Sequence, residues 1–320
     1  MTTVSRALRK DPRISEATRQ EVSIAAAQLS YIPDARASSL RGQATFTLGL
    51  LLPDVADPMH GQVAMAFQTA ASSLGYTVLL ANGFRAPMQE RQALRLFAAQ
   101  RVDGIAIAGS SLSPHEAISI ADPCPVVAIG CENISLAGCD SDAPSGAIRA
   151  DDVSGVVQVI EHLRQLGYTR TAYVNGPDLA SNVTRRDTAL RTAAAVGIEC
   201  NMYPYPGGFG GPDRFEATVS TIAARRPQAT ICYDDVIALG LLDALRSHGL
   251  RSPEDIGIVG FDDIPFAGVS NPRLTTVSQP SQDMGRAAVS MLLAGIEEGV
   301  LPASIMLPVH LVVRESTRNL

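Results

Sequence analysis

A chain of 320 residues, 46% hydrophobic and 18% charged, is too long for one ordinary domain and can bury a sizeable core, which predicts two lobes and a small appendage. No uncharged apolar run reaches the length of about eighteen residues that a membrane span needs, and Arg6, Arg9, Lys10 and Asp11 interrupt any signal-peptide core, so a cytoplasmic protein is expected. The formal net charge of −6 is unevenly spread: residues 1–45 carry seven basic and four acidic side chains, the remainder nineteen and twenty-eight, so a basic head suited to phosphate sits on an acidic body.

In chain order, a helix is predicted from about Thr2 to Arg9, stopped by Pro12. Ser15 is a good cap for a second helix, and Glu16 favours its positive end. Val22, Ala25, Ala26 and Leu29 fall at i, i+3, i+4 and i+7, an apolar stripe that needs a partner surface. Ala35 to Arg41 can form a third short helix, capped by Asp34 and stopped by Gly42.

From Phe46 strands alternate with helices. The predicted elements are strand Thr47–Leu52, helix Val63–Leu74, strand Tyr76–Leu80, helix Met88–Gln100, strand Val102–Ala108 and strand Val126–Ile129. A second series follows: strand Thr171–Val174, helix 184–196, strand Ala229–Cys232, helix 235–248 and strand Ile256–Gly260. The fold class is therefore α/β: two doubly wound parallel-sheet lobes, with a cleft between them at the carboxyl ends of the strands. The five cysteines (Cys124, Cys131, Cys139, Cys200 and Cys232) form no CxxC pair and read as reduced, buried thiols. No metal or cofactor is expected.

Several stretches, in order, carry a resemblance. They are Arg101-Val102-Asp103-Gly104-Ile105, Asp151-Asp152-Val153-Ser154-Gly155, Asp235-Val236-Ile237-Ala238-Leu239-Gly240, Ile258-Val259-Gly260-Phe261-Asp262-Asp263 and Leu311-Val312-Val313-Arg314-Glu315-Ser316-Thr317. Together with Thr3-Val4-Ser5-Arg6-Ala7-Leu8 and Leu29-Ser30-Tyr31-Ile32-Pro33-Asp34, they resemble the lactose/galactose-repressor family of bacterial transcription regulators. The resemblance implies a helix–turn–helix head over 1–33 and a hinge over 34–45. It further implies a first periplasmic-binding-protein-like lobe over 46–165 with 280–305, and a second over 166–279 with 306–320. The three crossings would fall near 165, 279 and 306. It also implies a first helix ahead of Met1, so an in-frame upstream continuation is expected; a regulator that no longer binds DNA is the alternative for this polypeptide.

By the same resemblance Thr2 and Arg6 read base edges in the major groove, while Thr3, Ser5 and Thr18 contact phosphates; Ser5 and Thr18 as plain helix caps remain the alternative. Leu40 matches the hinge leucine that wedges into a central base step of a pseudo-palindromic operator, paired with its copy in a homodimer. In the cleft the resemblance implies that Arg186 grips ligand hydroxyls or carboxylates and that Asp262 accepts from hydroxyls. Phe209 would stack on a sugar face, with Asp234 and Gln279 touching the ligand. Asp57, His60 and Ser110 are further candidates. Three departures stand out: Asp57-Pro58-Met59-His60 where the family has Asn-Pro-Phe-Phe, Asp234-Asp235 where it has Asn-Asp, and Arg214 where it has glycine. They remove two rings and add a carboxylate, leaving the effector open among sugars, sugar acids and similar molecules.

An enzyme would need a nucleophile elbow, a zinc motif or a phosphate loop, and the chain has no GxSxG, HExxH or GxxxxGK. A sugar-binding transport receptor would share the two lobes but would need a signal peptide and would lack residues 1–45. The expected function is thus a ligand-responsive repressor.

Overall fold

The computed structural model describes residues 3–8, 13–29, 44–130, 145–207 and 212–318. The chain divides between Thr45 and Phe46 into two compact units. In the first, α1 (Thr3–Leu8) packs on α2 (Glu16–Gln28) and buries Ala7. Ser15 caps α2 as expected: its Oγ accepts from Thr18 N at 3.3 Å and bonds Thr18 Oγ1 at 2.9 Å. Of the apolar stripe, Val22 and Ala26 are half-buried, while Ala25 and Leu29 are exposed. The predicted hinge helix lies outside the described residues.

The second unit contains two six-stranded sheets. In the first, β1 (Thr47–Leu52), β2 (Thr77–Asn82), β3 (Gly104–Ala108), β4 (Val126–Ile129), β5 (Ser145–Ala150) and β11 (Ile305–Leu307) run parallel in the order β2-β1-β3-β4-β5-β11. The second repeats this winding as β7-β6-β8-β9-β10-β12, from β6 (Arg170–Val174), β7 (Glu199–Tyr203), β8 (Ala229–Cys232), β9 (Gly257–Asp262), β10 (Thr275–Ser278) and β12 (His310–Val312). Among the described strands only β12 runs antiparallel to its neighbour, β10. The continuous apolar runs of β3, β4, β8 and β9 are buried throughout because helices cover both sheet faces. The edge strands β2 and β7 are partly exposed, which explains why Glu199–Tyr203, with its polar residues, gives no strand pattern in the sequence.

Helices α3 (Pro58–Ser73), α4 (Pro87–Gln100) and α5 (Pro114–Ala121) each start with proline in the first turn, where a missing N–H costs nothing. The first of these begins earlier than the expected Val63, and α7 (Ala180–Ala195) earlier than the expected 184. Helices α8 (Glu216–Arg225) and α9 (Asp235–Ser247) flank the second sheet. Over the first sheet, α10 (Ser281–Glu298) crosses α3 so closely that a Cβ on Gly285 would lie 2.5 Å from Val63 O and 2.8 Å from Phe67 N.

One expected crossing shifts. Helix α6 (Asp152–Gln165) packs on the second sheet rather than the first, since its Gly155 abuts Phe261 of β9 and Val277 of β10. The first crossing therefore falls at Asp151, not near 165. Pairing of β11 with β5 keeps 305–307 in the first sheet, so the third crossing lies between Leu307 and His310. The crossing at Gln279 joins β10 to α10. Among the described residues no helix is long and apolar enough to cross a membrane.

Candidate functional site: the cleft between the sheets

In both sheets the strand order reverses beside the first strand, β1 or β6, and loops leaving the carboxyl ends there diverge to opposite faces, opening a crevice. A cleft open to solvent occupies this place, about 540 Å³ when the open space at its mouth is included. Asp57 and His60 enter it from the start of α3, Arg85 from the loop after β2, and Gly109 and Gly130 from the ends of β3 and β4. The second sheet contributes Tyr233 and Asp234 after β8, Asp262 at the end of β9, and Gln279 after β10. Both glycines have positive φ (48° and 71°), letting the backbone turn sharply at the lining.

On the first wall Asp57 caps α3, its Oδ1 accepting from Met59 N at 3.0 Å. Its Oδ2 lies 3.2 Å from Arg85 Nη2 and 3.3 Å from His60 Nδ1, which is buried without an aligned hydrogen-bond partner. Burial alone raises the Asp57 carboxyl, but His60, Arg85 and the Met59 N–H outweigh it and hold the group below its ordinary value.

The second wall is built on a buried guanidinium. Arg185 of α7 reaches Asp152 Oδ1 at 2.9 Å and Tyr233 O at 2.8 Å, lies 3.7 Å from Asp262 Oδ1, and stacks 3.6 Å from the Phe261 ring centre. Asp262 also accepts from Gln279 Nε2. Burial raises the Asp262 carboxyl well above its usual range despite Arg185. Asp234 caps α9 by accepting from Ile237 N at 2.7 Å. Its pKa is pushed up to about 6, chiefly by burial, with Asp57 adding and the Ile237 N–H, Arg185 and Arg85 opposing. Behind the wall Asp235 accepts from Thr276 Oγ1 and, at 2.9 Å, from Ile264 N; burial pushes it up to about 8. Gly260 is required there, because a Cβ would meet Asp235 Oδ1 at 2.0 Å.

The structure thus brings Asp57, His60, Asp234, Asp262 and Gln279 to one cleft. Two candidates land elsewhere. Arg186 pairs with its neighbour Asp187 at 2.8 Å and does not line the cleft; the adjacent Arg185 takes the inward position. Ser110 is also absent from the lining: its Oγ donates to buried Glu90 at 2.6 Å, part of a clamp that also takes the Ser111 and Leu112 N–H groups. Phe209 lies outside the described residues. Arg85 and Tyr233 were not anticipated; the position of Tyr233 directly before Asp234, at the end of a buried strand, was the available signal. In the head, Thr3 is exposed on α1 and Thr18 makes the capping contact with Ser15. Ser5 and Arg6 belong to α1, but their side chains, like Thr2 and Leu40 altogether, lie outside the described residues.

Twin parallel-sheet lobes around a switch-point cleft, following a short helical unit, define the class of two-lobed ligand-binding regulators. Residues 160–317 match the periplasmic binding protein-like domain, and residues 1–34 match the bacterial regulatory proteins of the lacI family. The chain is 30% identical to the HTH-type transcriptional regulator DegA of Bacillus subtilis (strain 168), across 100% of this chain and 95% of that protein. It is 28% identical to the HTH-type transcriptional repressor CytR of Escherichia coli (strain K12), across 99% and 93%. Among solved structures, the Lac repressor dimer bound to operator and the anti-inducer ONPF shares 26% identity at a TM-score of 0.82, covering 99% of this chain and 94% of that one. The chain belongs to the LacI family of bacterial transcriptional regulators. It is a ligand-responsive, DNA-binding regulator.

Proposed function

We propose that this protein is a homodimeric repressor whose effector binds in the cleft between the two sheets, held by Asp57, Asp234, Asp262 and Gln279. The observation that carries this reading is the convergence of hydrogen-bonding side chains from both sheets on one cleft, where a single bound molecule can touch both lobes. Such a molecule sets the angle between the lobes and thereby the pairing of hinge segments across a dimer on a pseudo-palindromic operator in the cytoplasm. The task is binding rather than turnover. The carboxylates already cap helices or hold Arg185, as fixed hydrogen-bond acceptors for hydroxyls do. A wall of three carboxylates favours neutral or cationic polyhydroxylated molecules over sugar acids, narrowing the range left open by the sequence. A structure of CelR in this family of folds, 27% identical at a TM-score of 0.70, carries cellobiose, consistent with a hydroxylated ligand.

The test combines DNA-binding anisotropy with calorimetry. Gln279→Ala is expected to lower effector affinity at least about tenfold with operator affinity unchanged in the absence of effector, since the side chain meets the ligand and not the DNA. Leu40→Ala is expected to do the reverse. Equal loss of both activities in either variant refutes the assignment.

A further inference from the structure

The charges in the cleft do not balance. Asp57 has Arg85 at 3.2 Å. Asp262 has Arg185 at 3.7 Å, a cation it shares with Asp152. Asp234 lines the same cleft at 8% exposure, yet among the described residues no cationic side chain forms an ion pair with it; its hydrogen bond comes from the Ile237 N–H. Capping does not account for the charge, because asparagine offers the same acceptor oxygen to a helix end. Arg185 and Arg85 act on Asp234 only from a distance, and a buried carboxylate with no directly paired cation is costly until something positive is brought to it.

With the cleft taken as the effector's seat, a reading on which this inference rests, we propose that the effector bears a protonated amine on a small hydroxylated scaffold, as an aminohexose does. Its ammonium group pairs with Asp234 between the two lobes. Hydroxyls of the scaffold are left for Asp57, Asp262 and Gln279, each of which already holds a hydrogen-bond or ion-pair partner. A charge-assisted N–H···O⁻ bond is about twice as strong as its neutral counterpart, so the amine decides the preference among otherwise similar ligands. A bound metal ion is the less suited occupant, since among the described residues no group of three His, Cys, Asp or Glu side chains is arranged to hold one.

Calorimetry on the full chain at pH 7.5 tests this with glucosamine, galactosamine and mannosamine, each beside its neutral hexose and its N-acetyl derivative. One aminohexose is expected to bind at least about tenfold more tightly than both matched compounds, a difference of about 1.4 kcal/mol. Asp234→Asn, which retains the cap, is expected to bring that ratio within about threefold. Affinity for the aminohexose should also fall as the pH drops below about 6, where Asp234 takes up a proton. Asp234→Asn removes this titration while keeping the facing groups (Asp57, His60, Arg85, Arg185 and Asp262) in place, so the fall should disappear in the variant. The proposal is overturned if a neutral or N-acetylated compound binds as well as the amine, if the preference survives Asp234→Asn, if magnesium or calcium alone gives the Asp234-dependent signal, or if no compound binds. The cleft reading fails separately. A neutral hexose whose binding is lost in Gln279→Ala removes the amine but keeps the cleft, whereas binding indifferent to both Gln279→Ala and Asp262→Asn removes the cleft as well.

Discussion

Replacing Arg185 by alanine probes the part of the second lobe on which the cleft wall depends. The guanidinium is buried and holds Asp152 at 2.9 Å, Tyr233 O at 2.8 Å and Asp262 at 3.7 Å, with the Phe261 ring against its plane. Removing one partner of a buried ion pair costs about 3–5 kcal/mol, because the remaining carboxylates stay buried without a cation. At about 2–4 °C per kcal/mol for a body of this size, the melting temperature should fall by roughly 6–20 °C at pH 7.5. The deficit should shrink at pH 5, since Asp262, whose carboxyl burial already raises, can escape the unpaired charged state by taking up a proton. Thermal melts and urea denaturation followed by circular dichroism at the two pH values measure both effects. Arg186→Ala is the control: its pair with Asp187 is partly exposed, and such pairs contribute about 0–1 kcal/mol. The reasoning is refuted if Arg185→Ala costs less than about 1 kcal/mol, or if Arg186→Ala costs as much.

Gly285→Ala places a methyl group against the backbone of α3, at 2.5 Å from Val63 O, so α3 must retreat; a loss of about 1–3 kcal/mol and weaker effector binding through displaced Asp57 and His60 are expected in thermal melts and calorimetry. A separate expectation concerns pH. Asp235, at about 8 in the folded chain and near 3.8 when unfolded, makes the folded state bind more protons between those values, so its contribution lowers stability as pH rises through that window. Asp235→Asn should flatten this part of the stability profile between pH 5 and 8 in urea titrations; an unaltered slope would show that the group is not protonated in the fold.

Much of the architecture was legible because it is written in local periodicity. The apolar runs of β1, β3, β4, β8 and β9 state that these strands are covered on both faces, and the helix expected from 235 starts there, whereas the start of α3 at Pro58 was placed too late, at Val63. The edge strand β7 and the short strands β11 and β12 were not legible, since partly exposed edges need no continuous apolar run and short pairings leave no period to read. Likewise the sequence placed most of the cleft residues but assigned α6 to the wrong sheet, because its apolar stripe says only that it must pack, not on which of two similar surfaces.

From the sequence alone come two lobes of alternating strand and helix, a basic head, and carboxylates at strand ends facing a common crevice. Only the folded chain decided which arginine serves that crevice. One residue along a helix turns a side chain through about 100°, so of the adjacent Arg185 and Arg186 one is buried among carboxylates and the other pairs at the surface. Only the folded chain, too, showed that Asp234 has no directly paired cation, since charge balance depends on neighbours such as Arg85 and Asp57, far away in sequence and brought together from the other lobe.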